Sequence, residues 1–313
     1  MKASLSSTPL KTPLLSIIIP TYNRPHLLPR SVQSALGQTF EDLEVIVVDD
    51  GSPQPVDLPD NRRLSVVKLP KNRGIAATRN AGLRAAKGRY VTFLDDDDQL
   101  LPTMAEVALA ALKEAVLPQP VAVLMGIEVI SPSGEVIQTR LPPVLPKGAH
   151  FFLEEIKPGE SFLSKQTLVV ERELLLSIGG YDEAFSSREH TELFLRLNPV
   201  CSLLGLPVIA YRLISHSGAR LSRTPALRQV DFNRLITKHR ALFESHPKQF
   251  AVFVYKHALT SMRLGQKESA LKALIQAYRI HPLWISRLLT RDLYYRLSQY
   301  SKNLLKQLYQ IAL

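Results

Sequence analysis

Residues 90–98 read Tyr-Val-Thr-Phe-Leu-Asp-Asp-Asp-Asp, an apolar run that stops abruptly in four carboxylates. Lys87 and Gly88 precede it, and its β-branched, aromatic and aliphatic residues are those of a buried strand. Four adjacent acids at a strand end restrict what can surround them. Two like charges ~4 Å apart repel by roughly 4 kcal/mol at a surface-like dielectric, so the fold must supply something that offsets them. A hard divalent cation, Mn2+ or Mg2+, does this with oxygen ligands, commonly one or two carboxylates together with substrate phosphates. In extended chain Asp95 and Asp97 share one face and Asp96 and Asp98 the other, so one pair can hold metal while its neighbours bond a ligand or the backbone. A solvated acidic turn, or acids at a helix N-terminus, is the plainer alternative.

The preceding chain gives the acids a setting. Leu14–Ile19 is a near-continuous apolar run, as expected of a strand covered on both faces, Leu43–Val48 repeats it, and Leu64–Leu69 is a third strand. Between the first two, Pro25 fits the first turn of a helix whose stripe is Leu27, Leu28, Val32, Ala35 and Leu36, with Gly37 as its cap. Ile75–Ala86 is Ala-rich and helical. Such alternation predicts an α/β chain with a mostly parallel, doubly wound sheet. Ligands of open α/β sheets bind outside the carboxyl ends of strands. Tyr22, Arg24, Asp49, Asp50 and Asp95–Asp98 all follow strands directly. Tyr22 can stack on a planar base, Asp50 can accept a base N–H or a sugar hydroxyl, and Arg79 can fork a phosphate or one of the aspartates. Asp49 can equally cap its own turn.

Further on, Val121–Ile130 predicts a strand, residues 131–134 a turn and Glu135–Thr139 its return. Pro142–Phe152 predicts a loop, Gln166–Val170 a short strand and Glu171–Ile178 a helix. The 313 residues are 45% hydrophobic, enough for a real core. The lone cysteine, Cys201, excludes an internal disulfide and points to a reducing, cytoplasmic setting. No apolar run reaches the ~18 residues of a membrane span, and residues 1–12 read as a polar, disordered lead-in.

Four segments carry a family resemblance. Ser16-Ile-Ile-Ile-Pro-Thr-Tyr-Asn-Arg24, Val47-Val48-Asp49-Asp50-Gly51-Ser52, Asn72-Arg-Gly-Ile-Ala-Ala-Thr-Arg-Asn80 and Phe93-Leu94-Asp95-Asp96-Asp97 resemble glycosyltransferase family two, in its order and spacing. The family comprises inverting nucleotide-sugar transferases of GT-A fold. The match is strong over 14–102 and weaker to about residue 217. It implies a metal-dependent enzyme with a nucleotide-diphosphate sugar donor, commonly a UDP-sugar. It also implies a nucleobase beside Pro20, Thr21, Tyr22 and Asp50, Asp95 and Asp96 near ribose and sugar, and metal on Asp97 with Asp95. Arg24 and Arg79 complete the expected nucleotide site. His216 resembles a segment that closes over the diphosphate, as a third metal ligand or phosphate donor; a solvated loop histidine is the alternative.

Gly179-Gly180-Tyr181-Asp182-Glu183 continues the resemblance, but Glu189-His190 stands where the family has Glu-Asp, its catalytic base. A histidine, with an ordinary pKa of ~6.5, suits a general base near neutrality. His190 is therefore the expected base, with Glu189 or Glu192 orienting it. A structural His190 with Glu189 or Glu192 as base, or lost catalysis, are the alternatives.

From Arg212 onward lie 18 of the 39 Lys and Arg but only 4 of the 28 Asp and Glu. Ala258–Ala270 with Ala277 and Pro282 resembles one tetratricopeptide unit. Trp284, Ile285, Leu288, Leu289, Leu293, Tyr294, Leu297, Leu304, Leu305 and Leu308 then interleave with Arg287, Arg291, Arg296, Lys302 and Lys306. Such an end suits either an anionic membrane surface or a helical lid with solvated basic faces. The expected organisation is a GT-A domain over 13–217 and a basic helical region over 218–313. The expected function is transfer of a single sugar to a saccharide or lipid-linked acceptor hydroxyl, on the inner face of the membrane. No Gln-x-x-Arg-Trp segment is present, which argues against a processive synthase. The rivals are a catalytically silent sugar-nucleotide binder and a basic helical interaction module. Nucleic acid is not expected, since the charge comes without aromatic platforms or a reading helix.

Overall fold

A computed structural model describes residues 12–215 and 225–294. The chain forms two compact units, Met1–Leu221 and Ser222–Leu313.

The first unit is built on β1 (Leu15–Thr21), β2 (Leu43–Asp49), β3 (Leu64–Lys68) and β4 (Tyr90–Phe93), all parallel, in the order β3-β2-β1-β4. Two-residue β8 (Val170–Glu171) closes the edge, antiparallel to β4. A second sheet has the order β5 (Gln99–Leu100), β9 (Ser202–Ile214), β6 (Val121–Ile130), β7 (Val136–Arg140). Within it β6 and β9 are parallel.

Side-chain alternation splits the core over the two faces of the first sheet. Ile17, Ile19, Val45 and Val47 pack with α1 (Leu28–Leu36) and α3 (Met104–Glu114), through Leu28, Val32, Met104 and Ala108. Ile18, Ile46 and Val48 face α2 (Ile75–Ala85), α4 (Arg172–Ser177) and α5 (Glu189–Leu197), through Leu83, Leu175, Leu193 and Phe194. This is the covered, mostly parallel sheet that the apolar runs predict.

Three local expectations are corrected. Helix α1 starts at Leu28, and Pro29 rather than Pro25 occupies its first turn. Residues 162–167 form a 3-10 helix where a strand over 166–170 was expected; Thr167 Oγ1 accepts from the Met125 amide and shares its one proton between the Met125 and Ser164 carbonyls, both at 2.9 Å. The 13-residue strand β9 was not anticipated. Gly205 and Pro207 interrupt its sequence, and its burial does not alternate cleanly.

In the second unit α6 (Pro225–Lys238), α7 (Arg240–Glu244), α8 (Pro247–Arg263) and α9 (Lys267–Ile280) precede a helix over 282–294. The residues resembling a tetratricopeptide unit lie in the α8–α9 pair, whose small buried Ala258, Ala270, Ala273 and Ala277 allow close helix contact. Of the apolar residues named above, Ile285 and Leu288 are buried, whereas Leu289, Leu293 and Tyr294 are exposed. Among the described residues no helix is long and apolar enough to cross a membrane. Residues 1–11 and the tail leucines from Leu297 onward lie outside the described residues.

Helix α2 sits unusually close to the sheet at Gly82, where an added Cβ would come within 2.3 Å of Ile18 Cγ2 and 3.1 Å of Val48 Cγ2. Alanine would gain ~1 kcal/mol of helix propensity but overpack a buried contact at a cost of roughly 1–3 kcal/mol. Gly82→Ala should therefore lower the urea midpoint; a raised midpoint would contradict this packing.

Candidate active site

Three sheet-end segments converge. After β1, Thr21 Oγ1 donates to Asp96 Oδ2 at 2.7 Å, and Arg24 Nη1 donates to Asp96 Oδ1 at 2.9 Å and Asp97 Oδ2 at 3.2 Å. Tyr22 is 44% exposed beside them, a ring open to a ligand. After β2, Asp49 Oδ1 accepts from the Ser52 amide at 2.9 Å and so caps its turn. Asp50 receives the amides of Arg73 at 2.8 Å and Gly74 at 2.9 Å, one on each oxygen. It thereby pins the loop that opens α2. Gly51 (φ 76°) is required there, since a Cβ would lie 2.6 Å from the Lys71 backbone.

After β4 the acids form a turn, closed by the Asp98 amide donating to the Asp95 carbonyl at 3.1 Å. The extended arrangement expected above is thus corrected. The turn brings carboxylate oxygens of Asp95, Asp97 and Asp98 within 4.8 Å of one another and turns Asp96 back towards Thr21 and Arg24. Asp98 was not singled out as a ligand in the sequence. Its oxygens accept from Tyr211 Oη and the Ile214 amide, both at 2.8 Å, which ties the turn to the end of β9. His216 lies outside the described residues.

Burial, with crowding behind it, raises the pKa values of three of the acids. Burial pushes the Asp96 carboxyl up to about 6, against the bonds from Thr21 and Arg24. Burial first, then Asp95 and Asp97, hold Asp98 well above the carboxylate range. Asp95 is also raised, by burial and by Asp97 and Glu189, with Arg79 opposing.

Arg79 connects this turn to α5. It is 2% exposed; Nη2 donates to Asp95 Oδ1 at 2.6 Å and Nη1 to Glu189 Oε1 at 2.7 Å. Of its two expected partners, phosphate or an acidic side chain, it holds the second. Burial works against its charge, but Asp95 and Glu189 outweigh it and keep the guanidinium protonated. The adjacent Asn80 grips Tyr181, accepting from its amide and donating to its carbonyl, both at 2.8 Å.

His190 is 6% exposed on the first turn of α5. Its Nδ1 lies 3.3 Å from Tyr181 Oη and its Nε2 3.9 Å from Glu189 Oε1. Burial first, then the cations Arg79 and Lys165, hold its pKa well below 6.5, so the ring is neutral at neutral pH. Glu192 is fully buried and forked by Arg196 at 2.8 and 2.6 Å, which commits its two oxygens to that pair. Tyr181, Lys165 and Tyr211 were not assigned roles from the sequence, because their contacts with His190 and Asp98 arise from packing between segments distant in the chain.

Most of these segments lie within a stretch that is similar to known proteins. The profile of glycosyl transferase family 2 matches residues 16–162. An uncharacterized glycosyltransferase of Haemophilus influenzae is 30% identical over 186 residues, 59% of this chain and 62% of that protein. The GalNAc(5)-diNAcBac-PP-undecaprenol beta-1,3-glucosyltransferase of Campylobacter jejuni is 42% identical over 96 residues, 28% of this chain and 31% of that one. The chain thus spans 62% or less of the length of these curated relatives. Among solved structures, S. aureus TarS 1-349 in complex with UDP superposes with a TM-score of 0.59 at 21% identity, over 88% of this chain and 82% of that one. That likeness is one of fold, and the mostly parallel sheet with a C-terminal helical region is of GT-A type. Residues 16–162, just under half of the chain, thus carry a match to glycosyl transferase family 2.

Proposed function

We propose that the chain is a metal-dependent inverting glycosyltransferase that moves one sugar from a nucleotide-diphosphate donor, a UDP-sugar, to an acceptor hydroxyl in cell-surface glycan synthesis. The observation that carries this reading is the Arg79 bridge, which sets donor-side Asp95 beside Glu189 and His190. Solved relatives by fold hold UDP and UDP-GlcNAc, which supports the donor class.

In this reading the exposed Tyr22 ring stacks on the base, with Pro20, Thr21 and Asp50 lining its edge. The acids fit a hard cation, since three carboxylates within 4.8 Å offer oxygen donors and repel one another without one. Asp97 with Asp95, joined by Asp98, would hold Mn2+ or Mg2+, which when bound supplies charge to stabilise the departing diphosphate. Arg24 and Arg79 orient the acids for it.

His190 takes the acceptor proton. With Nδ1–H donating to the Tyr181 oxygen, Nε2 keeps its lone pair for the acceptor hydroxyl. Glu189 then stabilises the imidazolium that forms, and the deprotonated oxygen attacks the anomeric carbon from the face opposite the diphosphate, inverting it. The basic helical unit rests on the anionic inner face of the membrane, where exposed Leu283, Leu293 and Tyr294 flank Arg287 and Arg291. The undecaprenol-linked acceptor in the name of the Campylobacter jejuni relative supports a lipid-linked acceptor.

Turnover of UDP-sugars with Mn2+ tests the reading. His190→Ala should lower kcat ~100-fold or more and leave donor KM within a few-fold. Wild-type kcat in that variant removes His190 from the mechanism, while a wild-type protein that binds UDP-sugar without turnover is a silent binder. A second consequence concerns stability. Because burial holds the folded pKa of His190 below the ~6.5 of the unfolded chain, the unfolded chain takes up the proton first as pH falls. The contribution is complete above about pH 6.5 and is lost below it. The urea midpoint should fall more steeply from about pH 6.5 to 5 in wild type than in His190→Gln; parallel curves would refute the buried neutral ring. Co-sedimentation with anionic vesicles at moderate salt should retain the protein; a free supernatant rejects membrane docking.

A further inference from the structure

Arg24 and Arg79 are both neutralised by the acids they hold. Arg140, at the end of β7, is not. Among the described residues it forms no ion pair, and its side chain bonds only Gln138 Oε1, at 3.2 Å. It is nonetheless partly buried; burial pulls its pKa down, and the Asp98 carboxylate opposes that.

Register explains its position. Leu100, Tyr211, Ile127 and Arg140 lie directly opposite one another across β5, β9, β6 and β7. Residues in such a row share one face of the sheet. Arg140 is two strands from Tyr211, ~10 Å at the usual strand spacing, and Tyr211 Oη holds Asp98. On the other side, the Ser161 amide donates to the Leu141 carbonyl at 2.7 Å. There the 3-10 helix over 162–167 begins, carrying Lys165. The Lys165 ammonium lies 5.5 Å over the Phe152 ring and acts on His190. Neighbouring segments, joined by the Ser161–Leu141 bond, therefore carry one cation on the sheet whose Tyr211 holds Asp98 and a second on the adjacent 3-10 helix, away from the strand ends that carry the nucleotide residues.

We infer that Arg140 and Lys165 form an anion-binding position for the acceptor, so that the acceptor carries an acidic group, phosphate or carboxylate, near its reacting hydroxyl. A planar guanidinium suits either acid through paired N–H donors. An uncharged saccharide would leave Arg140 partly buried with no ion-pair partner among the described residues. The inference rests on the acceptor side proposed above; the donor side is separate from it.

The test uses the full chain and small probes: glycerol 1-phosphate, glycerate and glycerol, titrated by ligand-observed NMR with and without UDP and Mn2+. Wild type should bind one of the acids about tenfold or more tighter than glycerol, as a charge-assisted bond would give. Arg140→Gln should remove most of that ratio, Lys165→Gln should reduce it, and Arg140→Lys should retain part of it. UDP affinity should stay within twofold, which also shows that each variant is folded. No preference for either acid, an unchanged ratio in Arg140→Gln, or a parallel loss of UDP affinity would overturn the inference. Failure of UDP to bind any form would instead overturn the donor reading, and the acid-to-glycerol ratio measured without UDP would still report on Arg140.

Discussion

One buried guanidinium organises the site. Arg79 lies on α2, Asp95 follows β4 and Glu189 begins α5, so two charge-assisted bonds lock three elements that are distant in sequence. Taking an ion out of water costs several kcal/mol, and only close, hydrogen-bonded partners on both sides repay it. The repayment is incomplete, because Arg79 Nε is buried without a partner. A core evolved for stability alone would do better with apolar residues there. The arrangement is instead what is needed to hold an acid and a base-bearing helix at fixed separation.

The acidic turn follows the same logic. Each aspartate is held in place: Asp95 by Arg79, Asp96 by Thr21 and Arg24, Asp97 by the same Arg24, and Asp98 by Tyr211 and the Ile214 amide. These bonds fix direction more than they relieve repulsion, since Asp95, Asp96 and Asp98 all keep raised pKa values. Fixed carboxylates that resist ionisation are poised for a cation.

Much of the fold was legible because the apolar runs of β1, β2 and β4 are nearly continuous and end in abrupt polar turns. That pattern belongs to strands covered on both faces, and it located Tyr22, Asp50 and the acids at one sheet edge. Helix α1 was misplaced by three residues because both Pro25 and Pro29 suit a first turn, and only tertiary packing selects the second. Asp98 was left out of the expected metal set because alternation assumes extended chain, whereas the backbone turns over residues 95–98. Strand β9 was invisible, although it supplies Tyr211, because its interrupted sequence lacks a clean period. His190 could be singled out by its place in a familiar motif, but its phenolic neighbour Tyr181 and its remote cation Lys165 could not, since both contacts depend on packing between segments.

The central claim is that the crowded aspartates share one pocket with a cation and a nucleotide diphosphate. Diffraction from crystals grown with UDP and Mn2+, recorded at the manganese absorption edge, tests it directly. The account predicts an anomalous peak among Asp95, Asp97 and Asp98, bonded to diphosphate oxygens, with the base against Tyr22. A nucleotide bound elsewhere, or a pocket without manganese, would contradict it.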